Sequence, residues 1–140
     1  MKTLRGIATQ LPYPSLTAYC PDLGEWPQRW QYEERDRIPG QALVDAFTPF
    51  LLHLLDSGLA RKTLRRHRDN LWLLGGQIIR KIQQEPELRD RGVVATLLDA
   101  VDDEYGPLLD RHATEEDQRS FDATCRKLRA FFAAHPPQFR

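Results

Sequence analysis

The chain has 140 residues, and its 20 Lys and Arg balance its 20 Asp and Glu to a formal net charge of +0. This length predicts one domain, and contents of 41% hydrophobic and 29% charged residues are typical of soluble globular proteins. The balanced charge excludes a polyanion-binding protein that is basic throughout. No uninterrupted apolar run approaches the ~20 residues of a membrane helix, and the N-terminus lacks a signal-peptide core. We therefore expect a cytoplasmic protein with no membrane partner.

The first 38 residues form a segment that is rich in proline and aromatic side chains. These are Pro12, Tyr13, Pro14, Tyr19, Pro21, Trp26, Pro27, Trp30 and Tyr32, followed by Pro39. So many prolines preclude a long helix, and no alternation of polar and apolar residues indicates a strand, so we predict an irregular arm over 1–38. Either this arm lays Trp26 and Trp30 across a helical body, or it is an aromatic recognition arm.

A first helix is predicted over 40–56, with a helical domain extending from 39 to 135 and a short tail over 136–140. Pro49 falls inside the first helix and should kink it or split it into two pieces. Gly58 follows the last apolar residues, and glycine readily adopts the left-handed conformation that often ends a helix.

The second helix, predicted over 61–84, has two chemically distinct faces. Its apolar side carries Leu64, His67, Leu71, Leu74, Ile78 and Ile82 at intervals of three and four residues. Arg61, Lys62, Arg65, Arg66 and Arg68 point largely away from that side, with Trp72 and Ile79 extending the cationic row. Gly75 and Gly76 indicate either a bend or a close helix crossing.

The last two helical regions are predicted around 93–105 and 115–134. The third follows Pro86 and Gly92 and ends before Gly106, and the fourth begins after Thr114, a favourable capping residue. With Leu51, Leu54, Leu64, Leu71, Leu74, Leu97, Leu128 and Phe132 expected in one core, the fold class is an all-α bundle of four main helices.

Charge is distributed unevenly along the helical region. Residues 61–91 have a balance of +5, residues 92–117 a balance of −7, and residues 118–140 a balance of +4. The fourth helix contributes Arg119, Arg126, Lys127 and Arg129. The acidic residues Asp99, Asp102, Asp103 and Glu104 are either a solvated helix end or a patch that docks a partner or inhibits the chain itself. Such segregation creates local fields that steer charged partners.

The residue patterns give no indication of catalysis, a metal site or a cofactor. Cys20 and Cys125 lie far apart, which favours buried free thiols. The four histidines have no zinc-like spacing, and His67 lies on the apolar side of its helix, where a hydrogen-bonded core histidine is the better interpretation. No phosphate-binding glycine loop or nucleophile elbow is present, so we expect no enzyme activity.

Three segments resemble the N-terminal core-binding domain of tyrosine recombinases and phage integrases. They are FLLHLLDSGLARKTLRRHRDNLWLLG, VVATLLDAV and RSFDATCRKLRAFFAAH, which together fall within residues 40–135. In that family the second helix commonly opens with a Gly-Leu-Ser-x-x-Thr pattern, which Gly58, Leu59 and Thr63 match. Ala60 replaces the serine, so the usual cap is missing. Phe131 and Phe132 match an aromatic pair at the end of the fourth helix.

The resemblance implies a four-helix SAM-like fold that contacts double-stranded DNA through its second and fourth helices. The implied DNA-binding residues are the nine cations named above on those helices. The family's catalytic domain would begin near the end of this sequence, so DNA recombination by these residues alone is not expected. The sequence therefore favours a non-catalytic DNA-binding accessory protein or an isolated core-binding module related to site-specific recombinases. The alternative is a helical protein–protein interaction module, a regulator or inhibitor that could be a homodimer.

Overall fold

The computed structural model describes residues 12–101 and 106–137. Within these ranges the chain forms seven α-helices and no strand: α1 (Leu16–Tyr19), α2 (Trp26–Trp30), α3 (Arg37–Leu55), α4 (Arg61–Gln84), α5 (Leu88–Arg91), α6 (Val93–Val101) and α7 (Glu115–Ala134). The prediction of an all-α protein is confirmed. The four longest helices correspond to the four main helices that the sequence predicts.

The third helix, α3, runs through Pro49 without interruption, so the predicted division at this residue is wrong. Pro49 and Asp45 both lie on the exposed side of the helix. Proline removes the hydrogen bond to the carbonyl four residues earlier, and here that carbonyl belongs to a residue with access to solvent. The loss therefore costs less than it would inside the core.

The junction between α3 and α4 is as the sequence predicts. Gly58 has a φ of 80°, the left-handed conformation that glycine adopts without a steric penalty. Ala60 occupies the N-cap of α4 and, having no polar side chain, makes no capping hydrogen bond. At α7 the opposite holds, because Thr114 and Asp117 form a reciprocal capping box.

The core is one continuous cluster in which all eight predicted core residues are buried. It is completed by Phe47, Phe50, Ile78 and Phe121 from the same helices. The prediction that Ile79 extends the exposed cationic row is wrong, since this side chain is fully buried. Positions 72 and 79 are seven residues apart, and an α-helix drifts by about 20° over that span, which carries Ile79 toward the buried side. Trp72 is 39% exposed.

The segment before α3 is more regular and more buried than the predicted irregular arm. Besides α1 and α2 it contains two 3-10 turns, Leu23–Glu25 and Glu34–Asp36. Pro27 lies in the first turn of α2, where its missing N–H costs nothing. Tyr19, Trp26 and Trp30 belong to the same core cluster as the long helices, so the expectation that Trp26 and Trp30 lie against the helical body is confirmed.

Trp30 is held against the middle of α4 by close packing and by a hydrogen bond. Its Nε1 donates to the Trp72 carbonyl over 2.9 Å. Gly75 provides the space for the indole, because a Cβ at this position would overlap the Trp30 ring, whereas one at Gly76 would lie 3.5 Å from the nearest ring atom. The glycine pair is thus the site of a close approach by α2.

The stretch Glu34–Leu55 is long and apolar enough to cross a membrane by length and composition alone. The mean hydropathy of this stretch is high although polar residues interrupt it, and for that reason no uninterrupted apolar run marks it in the sequence. Leu43, Phe47, Phe50 and Leu54 from this stretch form part of the buried core. The core helix of a soluble protein meets the same criterion, so the finding by itself is weak evidence for a membrane span.

The two glycines of α4 should respond in opposite ways to alanine. Gly75→Ala should lower the free energy of unfolding by about 1–3 kcal/mol, because the new methyl group forces the Trp30 indole to move. Gly76→Ala should raise it by up to about 1 kcal/mol, since alanine is the better helix former and meets only ordinary contacts. Urea denaturation of both variants tests this, and equal effects would contradict the packing described for Trp30.

Candidate nucleic-acid interface

A buried polar network joins α4 to α7. The Nδ1 atom of His67 lies 2.7 Å from the Thr124 hydroxyl oxygen, and the Asn70 side-chain amide donates to the same oxygen over 2.9 Å. Asn70 also donates to the carbonyl of Ser120 over 3.1 Å. A later residue in α4 thus meets an earlier residue in α7, so the two helices run antiparallel. The prediction that His67 is a hydrogen-bonded core histidine is confirmed.

Four of the nine sequence-predicted cations line one groove between α4 and the start of α7. The groove has a volume of about 930 Å³, and these cations are Lys62, Arg65, Arg66 and Arg119. All four side chains are exposed. Among the described residues, none of the four has an ion-pair partner. The fold therefore places cationic side chains from two separate helices along one concavity.

The same groove also contains carboxylates, which the sequence analysis does not place there. They are Asp69, Asp110, Glu116 and Asp117. The last two belong to the first turn of α7, where acidic residues stabilise the helix by complementing its dipole. Three of the basic residues come instead from the first two turns of α4. The groove is therefore electrically mixed, with its basic end toward the start of α4.

Arg61 and Arg68 face the N-terminal segment rather than the groove. The guanidinium carbon of Arg61 lies 4.5 Å from the centre of the Tyr13 ring. Arg68 donates from Nη1 to the Tyr19 carbonyl over 2.9 Å and from Nε to Asp69 over 3.0 Å. Its side chain is only 23% exposed, so Arg68 is less accessible than the cationic row in which the sequence analysis places it.

The remaining cations of α7 lie along its exposed side beyond Arg119. Arg126, Lys127 and Arg129 are all exposed, and none of them lines the groove. Lys127 is close enough to His67 to lower that histidine's pKa electrostatically. Lys127 therefore adds positive charge near the first two turns of α4, close to the buried contact between His67 and Thr124.

His67 has a pKa lowered to about 4, first because burial penalises the charged imidazolium and then because Lys127 and Arg66 repel it. The histidine is consequently neutral at pH 7, and one ring nitrogen is free to accept a hydrogen bond. Cys20 and Cys125 are free thiols in the core, as expected, and burial raises the pKa of each to about 12. Raised thiol pKa values leave both sulfurs protonated and unreactive.

Two features of this region were missed in the sequence analysis, the pairing of Asn70 with Thr124 and the backbone contact of Arg68. Asn70 and Thr124 carry no motif that marks them as partners, and only the antiparallel packing brings them together. The role of Arg68 depends on a backbone carbonyl, which leaves no trace in side-chain patterns. The residues that structure describes contain no group of three or more His, Cys, Asp or Glu that could hold a metal ion.

Comparisons with known proteins found no matching family model, no matching curated protein and no matching solved structure. The resemblance to recombinase core-binding domains therefore stays a prediction from the sequence. The acidic residues Asp102, Asp103 and Glu104 lie outside the described residues, while Asp99 is exposed and paired with Arg91.

Arg65 and Arg68 should differ in their contribution to stability. Arg68→Ala should lower the free energy of unfolding by about 1–2 kcal/mol, because it removes a charged donor from the Tyr19 carbonyl. Arg65→Ala should change it by less than about 0.5 kcal/mol, as exposed substitutions usually do. Thermal and urea unfolding of the two single variants provide the measurement, and equal effects would mean that the Arg68 contact does not contribute.

His67 should make stability depend on pH between about 4 and 6.5. In that range the unfolded chain binds a proton that the folded chain does not, so the free energy of unfolding falls as pH decreases from 6.5 toward 4. His67→Gln should flatten this part of the profile relative to that of wild type. Urea unfolding at several pH values measures both profiles, and parallel profiles for wild type and His67→Gln would refute the assignment.

Proposed function

We propose that this chain is a non-catalytic DNA-binding accessory protein, or an isolated core-binding module related to site-specific recombinases. It would contact the backbone of duplex DNA through α4 and α7. The observation that carries the proposal is the set of exposed cations on two helices of one groove, none of which has an ion-pair partner among the described residues: Lys62, Arg65, Arg66 and Arg119. Phosphate groups of DNA are anionic partners suited to such a set, and their neutralisation releases condensed counterions.

The start of α4 supports an anionic partner for a second reason. A helix N-terminus carries a partial positive charge, so cations in the first turn are destabilising by themselves. Arg61 and Lys62 nevertheless occupy this turn, which contains no acidic residue and has no side-chain cap at Ala60. A phosphate near this end would interact favourably with the cations and with the unpaired N–H groups together.

The carboxylates of the groove restrict how DNA would lie. Glu116 and Asp117 would repel phosphates from the start of α7, whereas Lys62 and Arg66 attract them at the other end. Lys127 extends the attractive region, with Arg126 and Arg129 as further contributors. The DNA backbone would therefore follow the start of α4 and cross toward the C-terminal half of α7. Contacts of this kind position a protein on DNA but do not read its sequence.

The order and junction of the helices support the finer proposal of a SAM-like bundle. Helix α4 begins after a left-handed glycine, Gly58, at the position where the recombinase-like pattern places it. The network from His67 and Asn70 to Thr124 keeps the second and fourth main helices side by side. These are the two helices that the resemblance implies for DNA contact.

The second candidate is a protein–protein interaction module that does not bind nucleic acid. It is favoured by large apolar side chains that α3 leaves in solvent, Ile38 at 80% and Leu52 at 49% exposure. Exposed large apolar side chains are one component of the surfaces through which proteins bind one another. A homodimer is one form of this candidate.

Duplex binding should depend on a pair of cations at the basic end of α4. We expect wild type to bind duplex DNA weakly at low salt, with an affinity that falls linearly on a logarithmic plot against salt concentration. Arg65→Ala combined with Arg66→Ala should reduce affinity for all sequences and lower the salt slope by about two. Fluorescence anisotropy with unrelated duplexes measures both quantities.

Arg80→Ala combined with Lys81→Ala is the matched control, since both residues are exposed cations at the other end of the same helix. Each double variant removes two positive charges, so a general effect of net charge is equal in both. We expect the control to bind nearly as wild type does. Equal losses would remove the proposed interface, and no binding by wild type at low salt would leave the interaction module as the better proposal.

A further inference from the structure

We propose that the exposed side of α3 is a docking groove for an amphipathic helix of another protein that carries a lysine or arginine among its apolar residues. This groove, called the α3 groove below, shares no residue with the interface proposed for DNA. The inference is independent of DNA binding and rests on the shape, exposure and charge of this surface.

The α3 groove consists of two adjoining concavities. One has a volume of about 520 Å³ between Ile38 on α3 and Val93 on α6, and the other about 320 Å³ between Pro49 on α3 and Phe132 on α7. Ala42 and Asp45 line both, so the two concavities meet there. From 38 to 49 the helix rises about 17 Å, which is about three turns. A three-turn helix laid along α3 would span the groove.

Most residues that line the α3 groove are apolar; Val93, Val94 and Phe132 at its floor are buried, whereas Ile38 and Pro49 on α3 are exposed. Ile38 is 80% exposed although isoleucine is among the residues that proteins bury most often. Ala42 is half-buried and small, which leaves room for an incoming side chain at the centre of the groove. The apolar character of Glu34–Leu55 therefore extends beyond the side that the core uses.

The charges of the groove define the partner's chemistry. Arg35 and Arg89 line one end, but Arg35 is paired with Glu33 over 2.8 Å and Arg89 with Asp36 over 2.6 Å. Asp45 at the centre accepts a hydrogen bond from Gln41 and has no ion-pair partner among the described residues. A lysine or arginine of the partner would therefore form an ion pair with the Asp45 carboxylate.

A lipid surface and a second copy of the chain fit this surface less well. The groove is concave with a carboxylate at its centre, and an anionic membrane would repel Asp45. A twofold-symmetric pairing of α3 with α3 centred on the groove would bring two Asp45 carboxylates together, which is destabilising. A basic amphipathic helix would pack its apolar residues against the walls of the groove and place its cation beside the Asp45 carboxylate.

The test uses a synthetic amphipathic helical peptide of about three turns, with leucines along one side and a single lysine among them. Its control is the same peptide with glutamate in place of that lysine. Fluorescence anisotropy should show that wild type prefers the lysine peptide by at least about tenfold, since like charges across an interface are strongly unfavourable. Asp45→Lys should reverse the preference, and Ala42→Phe, which fills the centre of the groove, should weaken both peptides.

Asp56→Lys is the matched control, because Asp56 is an exposed acidic residue at the end of α3 that does not line the groove. It should retain the wild-type preference. Failure of wild type to bind the lysine peptide, or an unchanged preference in Asp45→Lys, would overturn the proposal. So would anionic vesicle binding or dimerisation, by flotation or sedimentation, that Ala42→Phe abolishes, because the groove would then have a different occupant.

Discussion

The packing of Trp30 into the space above Gly75 is the constraint on which the rest of the fold depends. It brings the segment before α3 onto the middle of α4, and the indole hydrogen bond to the Trp72 carbonyl fixes the orientation of the ring. A larger residue at 75 would keep the indole out and leave the aromatic side of α2 in solvent. With Trp30 in place, α2 covers one side of α3 and α4, and α6 and α7 complete the core from other sides.

The long helices could be predicted from sequence because their signals are local. Leu64, Leu71 and Leu74 recur with helical periodicity, and Gly58 and Thr114 mark an end and a start by their backbone and capping preferences. The short helices before α3 could not be predicted, since four or five residues carry too little periodicity. Their conformation is set by the long-range burial of Tyr19 and Trp30, which local patterns do not encode.

Only part of the candidate site could be predicted, because sequence patterns report local structure and not contacts between distant residues. Periodicity identifies the exposed cations of α4, but it cannot separate Arg65, which faces the groove, from Arg68, which donates to a distant backbone carbonyl. Charge counting along the chain likewise treats the acidic residues of 92–117 as remote from α4. Folding brings Asp110 and Glu116 into the groove that holds the cations. The strength of any field there is therefore a property of the tertiary structure rather than of segment composition.

The contacts of Tyr19 and Trp30 have a consequence during synthesis on the ribosome. Tyr19 donates to a carbonyl 45 residues later in the chain, and Trp30 to one 42 residues later. Translation proceeds at about 5–20 residues per second, so these aromatic side chains leave the ribosome roughly 2–9 s before their partners do. During that interval they are apolar surface available to chaperones or to neighbouring nascent chains. The order of elements along the chain thus sets a period of vulnerability that the finished fold no longer has.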